Sequence, residues 1–513
     1  MSKGETMEFD LKGTITLSGD ATAAASDIAV ILNEASSSIF SRPDGSGAAV
    51  KDYEIAGCDV KVHIVSGRNV RAHEAIIRLR KLLGERLGKS HRLGARKLEI
   101  NSYVLRFELE REPKRAVTVP FAELAIEGRT AIMRLTDPSE EFLQKNYVDR
   151  MIKLVREKVD KQYYEGKAEY WKCIWDSGPK EPAWTADPSE EMLKRGWLKQ
   201  GPTKGKWFFR PQVAAVMRAM ERIAIEEVVR PLGFQEVIEP HHVGFDIWLK
   251  TGHLEGMPGE IYYVSEPRTR DPAEWERFVD LIKITKQVPQ EELAKNIQLP
   301  NAGSCYAQCP VIYWSLQGET IADESLPVKV FDRAANSNRY ESGGRHGIER
   351  VDEFHRIEVV YIGTEEQLVA LREKLLDAYK RVFNEILELE WRMAWVTPFY
   401  MQQSGQNFDG GDDGADLTKL VKGTIDFEAY MPYRGSREES EWLEFQNLTI
   451  VGDKYTSAFN IKGQKSELWS GCTGIGLERW TAAFLSQKGL DPEKWPEGFR
   501  KYLPKLPEGM KLL

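Results

Sequence analysis

The stretch from Phe331 to Tyr361, FDRAANSNRYESGGRHGIERVDEFHRIEVVY, concentrates side chains able to do chemistry. It reads as strand, glycine loop, strand. Side chains alternate along a strand, so the second strand presents Phe354, Arg356 and Glu358 on one face and His355, Ile357 and Val359 on the other. On the first strand Arg339 and Glu341 share a face. An aromatic ring, guanidinium groups and carboxylates on one sheet face suit a nucleotide. The ring stacks on a base, arginine forks onto phosphate, and glutamate accepts from an exocyclic amine. Taken alone, the window also reads as a salt-bridged sheet face. Five cysteines, Cys58, Cys173, Cys305, Cys309 and Cys472, are too few for a disulfide framework in 513 residues, which leaves metal ligation or burial as their uses. The chain has no C-x-x-C pair, no G-x-x-x-x-G-K-[ST], no H-E-x-x-H, no G-x-S-x-G and no G-x-G-x-x-G. Adjacent His241 and His242 would face opposite sides of a strand and read as structural.

The elements that position these residues need a chain of this length. At roughly 100–200 residues per domain it holds two to four domains. Hydrophobic residues are 42% and charged residues 29%, a globular composition that excludes a disordered, collagenous or coiled-coil chain. The 71 Lys+Arg against 79 Asp+Glu exclude a protein coated in positive charge. The start, MSKGETMEFD, shows no secretory signal, and apolar runs such as Ile28 to Leu32 fall far short of the ~20 residues of a membrane span, so a cytoplasmic protein is expected.

Toward the N-terminus, Phe9 to Leu17 and Leu98 to Leu109 alternate as strands, and Val70 to Leu87 repeats apolar residues at helical spacing. That helix and the turn after it carry Arg78, Arg80, Lys81, Arg86, Lys89 and Arg92, followed by Arg96 and Lys97, with Glu85 opposing them. Such a run reads as a solvated helix face or, for so large an excess in an acidic protein, as a contact for a polyanion. Asp137-Pro138-Ser139-Glu140-Glu141 and Asp187-Pro188-Ser189-Glu190-Glu191 read as two helix starts of one design. Trp171 to Trp184 looks like a domain junction, and a new domain begins around Lys204 to Pro211. From Arg210 a helix (Val213 to Val229) leads to a strand, Gly233 to Pro240, stopped by proline. Asp271 to Pro300 reads as two short helices, the first capped by Asp271 with Glu274 at the capping-box position.

Gly233 to Pro240, then Arg339-Tyr340-Glu341 with Phe354-His355-Arg356-Ile357-Glu358, then Gly474-Ile475-Gly476-Leu477-Glu478-Arg479 occur in that order. They resemble motifs 1, 2 and 3 of class II aminoacyl-tRNA synthetases, from about Arg210 to the C-terminus. NRYESGGRHGIERVDEFHRIE and SGCTGIGLERW are similar to the zinc-dependent, methanogenic-type (archaeal) seryl-tRNA synthetases. The resemblance implies an α+β fold, a class II antiparallel sheet flanked by helices, with a separate α/β N-terminal tRNA-binding domain. The expected layout is a tRNA-binding domain over 1–165, a linker over 166–209, and a catalytic domain over 210–513 with a helix-turn-helix-like insert at 270–300.

It also implies roles. Arg339 grips the α-phosphate of ATP, Glu341 reads the adenine amine, Phe354 and Arg479 sandwich the adenine, and Arg350 takes the γ-phosphate. Glu444 matches the magnesium carboxylate, and Asn447 and Thr449 fall where the family contacts serine, Thr449 standing where serine is usual. Arg339, Glu358 and Arg479 carry the catalysis. Two thiolates and a carboxylate suit Zn²⁺, and three protein ligands leave a fourth position open. Glu358 lies on the ligand-facing side of its strand, Cys472 directly precedes motif 3, and Cys309-Pro310 resembles the Cys-Pro of zinc-dependent class II enzymes, which selects Cys309 over Cys305. Cys58 and Cys173 are expected to be inert and buried. The implied activity is ATP-dependent formation of seryl-adenylate and transfer of the seryl group to tRNA(Ser) by a homodimer. Zn²⁺ binds the serine amine, Mg²⁺ accompanies ATP, and Arg78, Arg80, Lys81, Arg86, Lys89 and Arg92 contact the tRNA. Three other readings stand beside it: a ligase for threonine or another small amino acid, a carrier-protein-loading ligase, and a non-catalytic RNA-binding paralogue. The ~200 extra residues oppose the second, and retained Arg339, Glu341 and Arg479 oppose the third.

Overall fold

The computed structural model describes residues 7–40, 46–163, 171–333, 336–341, 344–396, 421–438 and 440–509. The chain divides into two compact units, Met1–Ala168 and Glu169–Leu513. In the first, β1 (Met7–Leu17), β2 (Ala48–Ala56), β3 (Asp59–Ser66), β4 (Ala95–Glu108), β5 (Ala122–Glu127) and β6 (Thr130–Leu135) form an antiparallel sheet in the order β2-β3-β1-β4-β6-β5. Alternate residues of β1 are buried, so Phe9, Leu11 and Ile15 meet Ile76, Leu79, Leu83 and Leu87 of α2 (Ala72–Ser90) in one core. Gly13 of β1 makes that approach close: a Cβ there would lie 2.5 Å from Cδ1 of Ile76. Helices α1 (Ala25–Glu34), α3 (Glu140–Gln144) and α4 (Tyr147–Lys161) complete the unit.

The second unit is built on a nine-stranded sheet. Its strands are β7 (Trp171–Asp176), β8 (Gln235–Glu236), β9 (Val328–Asp332), β10 (Asn336–Asn338), β11 (Glu353–Gly363), β12 (Trp391–Val396), β13 (Gly423–Ala429), β14 (Leu443–Gly452) and β15 (Trp469–Gly476). They run in the order β8-β9-β11-β15-β14-β13-β12-β7, with β10 paired to β11; β8 and β9 are parallel and the other pairs antiparallel. Alternation along β11 divides the interior. Ile357, Val359 and Tyr361 enter a core shared with α5 (Pro211–Ile223), α9 (Glu365–Arg381) and α10 (Leu477–Lys488), whereas Val360 and Ile362 join a second cluster with Cys309 and Tyr313. This is the α+β, largely antiparallel architecture with flanking helices. Among the described residues, no helix is long and apolar enough to cross a membrane.

The structure departs from the sequence expectations in instructive places. Residues 171–176 are an edge strand paired to β12, so the stretch expected as a linker belongs to the second unit from Glu169 onward. Trp175 explains it, since its ring lies 4.6 Å from that of fully buried Trp391. The expected boundary at 165/166 lies outside the described residues. Of Gly233 to Pro240, two residues alone form strand, because β8 touches β9 at its tip. The insert does hold two helices, α6 (Pro272–Thr285) and α7 (Gln290–Asn296), bridged by Arg277–Glu292; Asp271 caps α6 through the Ala273 N–H and no capping box forms. The two similarly spelled helix starts also differ. Asp187 caps the helix from Pro188, accepting from the N–H groups of Ser189 and Glu190, whereas Asp137 sits at φ +45° and Ser139 is the cap that accepts from Phe142. Asp187→Ala is therefore expected to cost about 1 kcal/mol in urea unfolding of the full chain. Asp137→Gly leaves stability unchanged or raised, because glycine adopts positive φ without a Cβ clash.

Candidate active site

The face of β11 opposite the one that packs on α5, α9 and α10 opens into two adjoining cavities of about 140 Å³ each. Arg339, Glu341, Phe354, Glu444 and Arg479 line the first, and Cys309, Cys472, His253, Tyr306 and Tyr455 line the second. Arg339, Phe354, Arg356 and Asn447 belong to both. The sheet brings them together: Arg356 stands opposite Gly476, Glu358 opposite Gly474 and Val360 opposite Cys472 in the β11–β15 register.

The loop before β11 is organised by Asp352, a residue that no sequence motif singles out. Its buried carboxylate accepts from the Glu341 N–H (3.0 Å), the Tyr262 hydroxyl (2.6 Å) and the Arg345 guanidinium (2.7 and 2.9 Å). Burial acts to raise its pKa, and these donors outweigh burial and hold it below the usual carboxylate range. A second anchor joins motif 2 to motif 3. Buried Glu478 accepts from the backbone N–H and Nδ1 of His355, which fixes the residue next to Phe354 and raises the histidine pKa. Asp352 gathers two near neighbours in the chain and one distant residue, Tyr262, whereas Glu478 acts through His355 of β11.

Carboxylates hold the arginines of the first cavity. Arg339 Nε lies 2.5 Å from Glu260 Oε2, and Arg479 Nη1 donates to the Glu444 backbone carbonyl (2.9 Å) and carboxylate (3.1 Å). Arg350 is outside the cavity lining, paired with Glu441 at 2.5 Å. Asn447 lines both cavities, but Thr449 is fully buried with its hydroxyl 2.9 Å from that of Thr424, so it stands behind the wall and not in it.

In the second cavity the Cys309 and Cys472 sulfurs and a Glu358 carboxylate oxygen lie within 4.8 Å of one another. Cys309 opens α8 (Cys309–Ser315), Glu358 comes from β11 and Cys472 from β15. Glu358 is fully buried, and neither of its oxygens has a hydrogen bond. Arg356 Nε approaches Oε2 to 2.6 Å out of hydrogen-bonding line, which supplies charge and leaves lone pairs uncommitted. Burial raises the Glu358 pKa, with Arg356 opposing. A bond to Cys472, then burial, raises the Cys309 thiol. Two thiols and a buried carboxylate drawn together in this way form a donor set that a cation could occupy. Cys305 is elsewhere, directed at the Ala307 carbonyl (3.2 Å) and Glu239 (3.6 Å). Cys58 and Cys173 are exposed, contrary to expectation, one in the β2–β3 turn and the other on the edge strand. His253, a lone histidine without a sequence signal, is buried beside the cysteines and lowered by burial to about 3.

In the N-terminal unit, α2 carries Arg78, Arg80, Lys81, Arg86 and Lys89. Packing spends part of that charge. Arg80 pairs with Glu140 of α3 and Arg86 with Glu34 of α1, while exposed Arg78 and Lys81 meet Glu74 and Glu85 only at 3.8 and 4.0 Å. Lys89 and Arg92 are exposed at the helix end and the turn beyond.

Residues 7–157 match the family model of a tRNA-binding domain. Type-2 serine–tRNA ligases from Methanothrix thermoacetophila and Methanococcoides burtonii are 44% and 45% identical, over 99% of this chain and 100% of theirs. The one from Methanocaldococcus jannaschii is 33% identical over 99% of this chain and 98% of its own. The M. kandleri SerRS, in a crystal structure in complex with A. aeolicus tRNASec, superposes with a TM-score of 0.83 at 30% identity over 99% of both chains. With full-length relatives well above 30% identity and the catalytic sheet and cavities in place, the chain belongs to the family of type-2 serine–tRNA ligases.

Proposed function

We propose that this chain condenses L-serine with ATP to seryl-adenylate and then passes the seryl group to tRNA(Ser), acting as a homodimer. The observation that carries the reading is that an arginine- and phenylalanine-lined cavity shares Arg339, Phe354, Arg356 and Asn447 with one lined by two cysteines. A nucleotide and a small amine then sit side by side.

Phe354 and Arg479 sandwich the adenine, and Glu341 accepts from its amine. Arg339 exchanges Glu260 for the α-phosphate, and Arg350 exchanges Glu441 for the outer phosphates. Glu444 would hold Mg²⁺, which would supply charge neutralisation for the phosphates. Cys309, Glu358 and Cys472 would hold Zn²⁺, which would supply Lewis acidity for binding the serine α-amine. The serine carboxylate attacks the α-phosphorus in line and pyrophosphate leaves; the terminal ribose hydroxyl of the tRNA then attacks the acyl carbon and AMP leaves. The protein contributes no nucleophile. Its work is orientation and stabilisation of charge on the transferring phosphoryl group, chiefly through Arg339. An amine site treats all amino acids alike, so choice falls to the small cavity and to Asn447 as the polar partner of the side-chain hydroxyl, an arrangement that penalises alanine. Thr449, engaged with Thr424, shapes this wall from behind. In the N-terminal unit α2 meets the tRNA backbone, since RNA duplexes are read by shape and phosphate more than by base edges.

Two measurements test this. The native protein is expected to carry a single Zn²⁺, released by chelation together with serine-dependent ATP–pyrophosphate exchange. Cys472→Ala should remain folded, bind no Zn²⁺ and show background exchange; normal exchange by that variant removes the metal from the mechanism. Neutralising Arg78, Lys81 and Arg86 should raise the KM for tRNA and lower the salt slope of binding by roughly 0.7–0.9 for each phosphate left without its cation, with serine activation unchanged. An unchanged KM places the RNA elsewhere.

A further inference from the structure

The N-terminal unit carries an apolar cleft of about 390 Å³ apart from α2. Pro120 and Phe121, leading into β5, form one wall; Tyr147, Arg150, Met151 and Leu154 of α4 form the other. The α4 residues are spaced i, i+3, i+4 and i+7, so a single helix face supplies them. Phe121 is 62% exposed. Its ring stands edge-on to Phe142 of α3 at 5.5 Å between centroids, and Phe142 meets Tyr147 in the same way at 5.0 Å. The Arg150 guanidinium lies 5.7 Å from the Tyr147 ring centroid. Phe121 also holds φ at +67°, a left-handed conformation that strains a bulky side chain. A strained backbone that shows an aromatic ring to water is explained by something outside the core.

Three observations choose its occupant. The cleft lies within residues 7–157, the stretch that matches a tRNA-binding domain. It is continuous with the basic helix through α3, whose Glu140 holds Arg80 of α2 while its Phe142 backs the aromatic wall. Its rim is cationic: Arg150 is exposed, and Lys158 of α4 reaches the Thr118 carbonyl at 2.7 Å, next to the cleft wall at Val119. An apolar slot with an open ring, edged by cations and adjoining a basic helix, fits a nucleobase with its phosphate outside. We propose that this cleft takes one unstacked base of the bound tRNA, lying on the face of Phe121 beside Arg150. The inference rests on the N-terminal unit being the tRNA-binding part of the molecule.

The test uses the full-length protein and a tRNA(Ser) transcript. Phe121→Gly is expected to weaken tRNA binding roughly tenfold or more, the effect of removing an aromatic stacking partner. Its melting temperature should be unchanged or higher, because glycine relieves the positive φ. Phe121→Trp should keep native affinity. A photo-crosslinking phenylalanine at position 121 should join a single nucleotide of the tRNA. Native affinity in Phe121→Gly, a weakened affinity accompanied by a lowered melting temperature, or a crosslink to protein in place of RNA would each overturn the proposal. Wild-type binding of tRNA reports separately on the unit. If wild type binds and Phe121→Gly binds equally, the cleft alone is ruled out; if wild type does not bind, the reading of the whole unit falls with it.

Discussion

Arg356 and Glu358 are two residues apart on one strand, both packed against the cysteine cavity, with guanidinium and carboxylate 2.6 Å from each other. Burying such a pair costs desolvation that its mutual attraction offsets only in good surroundings. Here burial opposes the charge of Arg356, and Glu358 with the nearby thiols outweighs it. The rest of the site depends on this pair, because it sets the Arg356 guanidinium in the wall shared by the two cavities and the Glu358 carboxylate beside the two thiols. The sheet has to allow it. Gly474 stands opposite Glu358, and a Cβ on it would fall 2.0 Å from Nη2 of Arg356, so the guanidinium lies across β15 only where that strand has no side chain.

A second theme is the pairing of arginines with carboxylates. Arg339, Arg350 and Arg479 are paired with Glu260, Glu441 and Glu444. A carboxylate partner holds a long cationic side chain in one extended pose. Asp352 and Glu478 are different in kind. They bind backbone N–H groups of Glu341 and His355, so they set where the chain runs and not which charge it offers.

Much of this was legible in the order of residues. Strand alternation is local, so placing Phe354, Arg356 and Glu358 on one face of β11 needed no knowledge of the fold, and the basic character of α2 was equally plain. What was not legible has a common cause: it depends on partners far away in the chain. Thr449 lies on the strand that carries Asn447, yet its hydroxyl is taken by Thr424 of the neighbouring strand. Two of the α2 arginines are neutralised by Glu34 and Glu140, acids of helices outside the basic segment. Residues 171–176 looked like a junction because a strand with tryptophans on an edge carries no clear period until its partner, β12, is known. The two similar helix starts diverged because the backbone at Asp137 is already left-handed.

The sequence by itself determined the chemical inventory: which strand offers ring, guanidinium and carboxylate together, that few thiols exist and which precede a proline or motif 3, and that the chain is long enough for separate catalytic and RNA-binding parts. These follow from residue type and a two- or four-residue period, which are properties of the local backbone. Tertiary structure alone decided which thiols meet. Cys309 and Cys472 are 163 residues apart in the chain, yet helix packing and the β11–β15 register bring their sulfurs and the Glu358 carboxylate within 4.8 Å, while Cys305, four residues from Cys309, turns away to Glu239. A ligand set is a coincidence in space, and no local period encodes it.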